Sequence, residues 1–114
     1  TVLDHYNAIK GYPFSGDSEY DCSCTDPGTY AYVELNNFGV IHLCGAFWDA
    51  PATGTDSKAG TLVHESSHFT QIAGTRDVVY GQSGARSLAR RSPSQAITNA
   101  DSHEYFAENN PSEP

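Results

Sequence analysis

Residues 62 to 69 read LVHESSHF, with a glutamate directly after the first of two histidines. On a helix, positions four apart stand one turn above each other. His64 and His68 can therefore present ring nitrogens to one ion, at about 2 Å from each. Glu65 then points beside the ion and can take a proton from a water that the ion has activated. Two imidazoles and a general base fit into five residues. Such a site needs a third protein ligand and an open fourth position. The extension HExxHxxGxxH would require glycine at 71 and histidine at 74, where the chain has Gln71 and Gly74. A carboxylate can serve instead. Glu104 and Glu108 from a later helix are two candidates, and Asp77 in GTRDVVYG, residues 74 to 81, is nearer. Gly74 is suited to end the helix, and the turn behind it can swing an aspartate back.

The elements that would position these groups follow from patterning. Val2, Leu3, Tyr6 and Ile9 have helical spacing, and Gly11 and Pro13 mark the end of that helix. PFSGDSEYDCSCTDPG is loop by composition. TYAYVEL and VIHLCGAF are rich in β-branched and aromatic residues and read as a hairpin or two neighbouring strands. A loop of small residues leads into the helix TLVHESSHFTQIAG, on which Leu62, Phe69 and Ile72 line one face. A shorter helix covers GARSLARR, and a third starts at Ser92-Pro93 and runs through SQAITNADSHEYFAE. The result is one α+β domain, a small sheet followed by helices.

Composition narrows the partners. The 114 residues carry 14 acidic and 6 basic side chains, a formal charge of −8. That balance argues against nucleic acid and anionic membranes; a cationic substrate would be welcomed electrostatically, although net charge alone chooses no substrate. No apolar run approaches the roughly 20 residues of a membrane span. No signal peptide is read either, so the chain reads as a mature product or a piece of one. Of three cysteines, Cys22 and Cys24 are too close to bridge easily. One of them joined to Cys44 leaves the other with a free thiol or a partner outside the chain. The competing readings are three reduced cysteines, or a zinc-binding CxC without a second pair. His5, His42 and His103 read as ordinary surface or strand histidines.

HESSH followed by GTRDVVYG resembles the signature of the deuterolysin-like zinc metallopeptidases, the aspzincins. TYAYVELNNFGVIHLCGAFWDAPATGTDSKAGTLVHESSHF and NADSHEYFAENNP resemble their fungal peptidyl-Lys branch in particular. The resemblance implies a zincin-like fold with an edge strand from 29–45 along the cleft. It implies one catalytic Zn²⁺ held by His64, His68 and Asp77, Glu65 as general base, and Tyr80 as hydrogen-bond donor to the developing oxyanion. It places a lysine pocket at Asp101 and Glu104, whose three-residue spacing puts both carboxylates on one helix face. It implies the disulfide Cys24–Cys44, and a partner for Cys22 in an N-terminal helical segment that this chain lacks. Residues 1–114 would then be the C-terminal two-thirds of a catalytic domain. The function implied is a secreted zinc metalloendopeptidase cutting on the amino side of lysine in protein and peptide substrates. The alternatives are a deuterolysin-like protease of other specificity and an inactive binding module on the same scaffold.

Overall fold

The structure, a computed structural model, describes residues 2–14 and 19–109; Thr1 and residues 15–18 of the predicted loop lie outside them. In chain order the elements are α1 (Val2–Lys10), β1 (Glu19–Asp21), β2 (Ala31–Tyr32), β3 (Val40–Leu43), α2 (Gly45–Asp49), α3 (Lys58–His68), α4 (Gln82–Arg91), α5 (Pro93–Ala96) and α6 (Ala100–Glu108). The class is α+β, as the sequence indicates.

β3 is the central strand, with β1 parallel on one side and β2 antiparallel on the other. Its alternation explains why: Ile41 and Leu43 are buried, while Val40 and His42 are half-buried on the opposite face. β1 falls inside the stretch read as loop. Glu19–Asp21 has little strand character of its own and is held by backbone pairing to β3 and by His42 Nδ1, 2.7 Å from Asp21 Oδ2. The predicted hairpin is present between β2 and β3, but both strands are shorter than their apolar runs. The GAF end of the second run turns into α2 instead. Gly45 permits this, because a Cβ there would sit 2.9 Å from the Asp26 carbonyl oxygen and the Pro27 Cα.

Tyr12, Ile41, Leu43, Phe47 and Phe69 form the buried core, with Leu62 and Ile72 packed against it. Leu3 is 72 % exposed, so α1 turns less of its apolar face inward than its spacing implies. Phe69 is fully buried, stacked on Tyr12 at 5.9 Å and edge-on to Phe38 at 4.9 Å. It anchors the end of α3, next to His68, in the sheet's core. His103 is also buried, at 3 % exposure, which corrects its reading as a surface residue. Its ring meets His5 at 2.9 Å.

The disulfide joins Cys24 to Cys44, tying the loop before β2 to the start of α2 across 20 residues. Loop-closure entropy for a ring of that size is worth about 3 kcal/mol. Replacing both cysteines by alanine should lower the unfolding free energy by about that amount in urea titrations, with the denaturant slope read for any change in the unfolded state.

α3 packs most extensively on α6, and the two run antiparallel. Ser57 caps α3 by accepting the Gly60 N–H at 2.9 Å. Glu108, at the far end of α6, accepts from the Asp56 and Ser57 amides at 3.1 and 2.9 Å and from the Ser57 hydroxyl at 3.1 Å. A carboxylate from one helix thus satisfies the exposed donors, and opposes the positive dipole end, of the other. The approach requires Gly60, where a Cβ would collide with the Glu108 carboxylate.

Candidate active site

His64, Glu65 and His68 lie on the last two turns of α3, all buried. The helix ends at His68, not at the predicted Gly74. Phe69 leaves helical geometry, and Gly74, at φ +61°, turns the chain back. The return is fixed at Thr75, whose N–H donates to the Ser67 carbonyl at 3.0 Å and whose hydroxyl meets that of Ser67 at 2.6 Å. The early stop is what brings Asp77 back toward the histidines.

Both imidazoles are oriented by their Nδ1 atoms. His68 Nδ1–H donates to the Thr75 carbonyl at 2.9 Å. His64 Nδ1–H donates to Asp101 Oδ1 at 2.7 Å, with Glu104 Oε1 at 3.3 Å. These bonds leave Nε2 of each ring turned toward Asp77. Asp77 Oδ1 lies 3.0 Å from His64 Nε2 and 3.2 Å from His68 Nε2. Ligand atoms about 2.0–2.1 Å from a tetrahedral ion stand about 3.3 Å apart, so both of these separations suit Zn²⁺. Glu65 Oε2 is 3.8 Å from His64 Nε2.

Burial opposes charging of His64, but hydrogen bonds to Asp101, Asp77 and Glu104 push it up to about 12. Burial would raise Asp77, yet the two imidazoles hold it well below the usual carboxylate range. Glu65 is pushed up to about 7 by burial, against the pull of His64 and His68. Glu104 is pushed up to about 8, again by burial, with His64 opposing and Glu108 adding to it.

A cleft of about 830 Å³ opens over these groups. One wall is the edge strand β2 and its flanks, residues 28–33; the other carries Tyr80, Asp101, Glu104 and Tyr105. Tyr80 is 70 % exposed, and burial, with the negative charge of Asp77 beside it, holds its hydroxyl above the usual phenol range. Asp101 and Glu104 share one face of α6, as their spacing implies, and both are buried. Asp101 is tied into the site on two sides, through His64 and through Oδ2, which accepts the Gly81 N–H at 2.8 Å. Glu108, an alternative ligand candidate on the sequence, caps α3 instead, and Glu104 lies on the Nδ1 side of His64 rather than with the Nε2 atoms.

The predicted continuous third helix is broken. α5 ends at Ala96, and α6 begins at Ala100. Ser92 precedes Pro93 as expected but makes no side-chain cap bond. In the break, Asn99 pairs with Arg76 in a parallel bridge: Arg76 N–H donates to the Thr98 carbonyl at 2.8 Å, and Ala100 N–H to the Arg76 carbonyl at 3.0 Å. Asn99 and Thr75 were not distinguished by sequence. The one local signal was Asn99 as a helix-breaking polar residue ahead of an acidic first turn.

Known proteins are similar to this chain in sequence and fold. A peptidyl-Lys metalloendopeptidase from Pleurotus ostreatus is 64 % identical over 111 residues, covering 97 % of this chain and 66 % of its own. One from Grifola frondosa is 60 % identical over 113 residues, covering 99 % and 32 %. The solved zinc peptidase from Grifola frondosa superposes with a TM-score of 0.96 at 58 % identity, covering 99 % of this chain and 69 % of that one. The chain therefore spans about two-thirds of one curated relative and about a third of the other. The family model described as lysine-specific metallo-endopeptidase matches residues 1–108, and with it the relatives and the fold agree: this chain belongs to the aspzincin family.

Proposed function

We propose that the protein is a secreted zinc metalloendopeptidase that hydrolyses peptide bonds on the amino side of lysine. The observation that carries this reading is the convergence of His64 Nε2, His68 Nε2 and Asp77 Oδ1 beside the buried Glu65 carboxylate. His64, His68 and Asp77 would hold the ion. Zinc, when bound, polarises water and the scissile carbonyl. Glu65 takes the proton from the attacking water and passes it to the departing amine. The Tyr80 hydroxyl, at the cleft wall, donates to the carbonyl oxygen as negative charge grows there. β2 offers an exposed edge along which an extended substrate backbone can pair.

Asp101 and Glu104 are the carboxyl groups that a lysine side chain would meet in the cleft, and its ammonium would draw Glu104, raised by burial, back toward the ionised form. The names of the relatives support the preference, as does the buried acidic face of α6. A disulfide supports an oxidising, extracellular location. Among the described residues, no helix is long and apolar enough to cross a membrane. Cys22 is exposed and unbridged within this chain, which fits a disulfide partner in an N-terminal segment outside these 114 residues. On that view residues 1–114 are the C-terminal two-thirds of the catalytic domain.

Digesting a denatured protein with the zinc-loaded enzyme and sequencing the new N-termini tests the reading. Lysine should head the products; termini headed by other residues would exclude the specificity, and no products would exclude the activity. Glu104→Gln removes a charge-assisted bond worth about 1.5–3 kcal/mol, so kcat/KM for X-Lys bonds should fall roughly 10- to 150-fold. Cleavage before a neutral residue should change far less. An equal loss on both substrates would place Glu104 outside the pocket.

A further inference from the structure

We infer that Asn99 is a positioning residue for the zinc site, acting through the backbone of the segment that carries Asp77. The inference rests on the reading that Asp77 is the third ligand. Asn99 is fully buried, in the break between α5 and α6. Its side-chain oxygen accepts two backbone N–H groups, from Val78 at 3.0 Å and from Val79 at 3.2 Å. Its amide nitrogen donates to Ser102 Oγ at 3.1 Å, which fixes the orientation of the side chain. With its neighbours Thr98 and Ala100 bonded to the Arg76 backbone, the Asn99 side chain completes a hold on both sides of Asp77.

The chemistry explains why this matters. Residues 76–81 form no helix and contribute only the single bridge to a strand, so their amides depend on partners from elsewhere. An asparagine oxygen has two lone pairs and can accept both N–H groups at once. Asp101, two residues on, accepts the Gly81 N–H and the His64 Nδ1–H. One short stretch of chain, residues 99–101, therefore holds the Asp77 segment and orients His64. A carboxylate displaced by a fraction of an ångström would no longer complete the triangle with the two Nε2 atoms. Groups that orient metal ligands are typically worth 10- to 100-fold in metal affinity.

The test compares wild type, Asp77→Asn, Asn99→Ala, Asn99→Ser and Asn99→Asp. Zinc affinity is measured by chelator competition, and the ligand field by the visible spectrum of the Co²⁺-substituted protein. All are measured at a temperature where circular dichroism shows each variant folded. Asn99→Ala and Asn99→Ser should each bind zinc about 10- to 100-fold more weakly, with an altered cobalt spectrum. Asn99→Asp keeps an acceptor oxygen and should recover most of the loss. A purely structural role would lower the melting temperature but leave both metal readouts unmoved below it. Wild-type affinity and spectrum in the alanine and serine variants would overturn the inference. Should neither fold, hydrogen exchange in wild type decides: the Val78 and Val79 amides should be protected, and rapid exchange of both would overturn it. If Asp77→Asn binds zinc like wild type, the ligand reading itself fails, whatever Asn99 does.

Discussion

Replacing Glu65 by glutamine should lower kcat by about 10²- to 10⁴-fold while zinc stays bound, the range typical of a lost general acid–base. Glutamine has nearly the same shape, so α3 and the two imidazoles keep their places. What it cannot do is accept the proton of the attacking water or deliver one to the departing amine. Glu65 is suited to both halves of that cycle. It is 6 % exposed, and burial pushes its carboxyl up to about 7, where a group both holds and releases a proton near neutrality. KM should change little, because the carboxylate acts on the reacting atoms and not on the side chain that fills the pocket. Steady-state kinetics on one X-Lys peptide, with the zinc content of the same preparations, provide the measurement. A variant that retains both zinc and turnover would remove Glu65 from the mechanism. A protein inactive in wild-type form, with zinc bound, would instead favour a binding module on the same scaffold.

Asp77→Asn should cost the metal itself. Structural zinc in small peptides is held with an apparent free energy of about 10–16 kcal/mol over four ligands. An even share is about 3 kcal/mol, so losing one ligand should weaken binding by about 100-fold or more. The amide that replaces Asp77 keeps an oxygen in place but removes the charge that both Nε2 atoms face at 3.0 and 3.2 Å. Activity should be lost at ordinary zinc concentrations and partly regained at high ones. Titration against a chelator of known affinity reads the loss directly, and an unchanged affinity would exclude Asp77 as a ligand.

The grouping of the candidate ligands was legible because it is local. HESSH needs only helical geometry to converge, and Asp77 is brought within reach by a turn whose glycine is visible in the sequence. The acidic pair of α6 shares one helix face by spacing, but its reading as a lysine pocket came from the family resemblance and not from that spacing. What could not be read is tertiary. The site helix stops at His68 because Phe69 is drawn into the sheet's core and Thr75 bonds back to Ser67, and neither partner is a neighbour in sequence. The helix predicted across 93–108 breaks because residues 98–100 exchange backbone bonds with Arg76, some twenty positions earlier. β1 exists because β3 had a free edge, not because EYD favours a strand. Asn99 belongs to this class: a polar residue at a break, whose use appears only once the segment it holds is beside it.

The antiparallel pairing of α3 with α6 makes two traits hard to separate. The carboxylate that orients His64 and the one that would greet the incoming lysine sit one turn apart, and the far end of the same helix caps its partner. Retargeting such an enzyme by redesigning that acidic face would disturb metal loading along with side-chain choice. New specificities are more readily obtained from the opposite bank of the cleft, along β2, which among the described residues gives no hydrogen bond to His64 or His68.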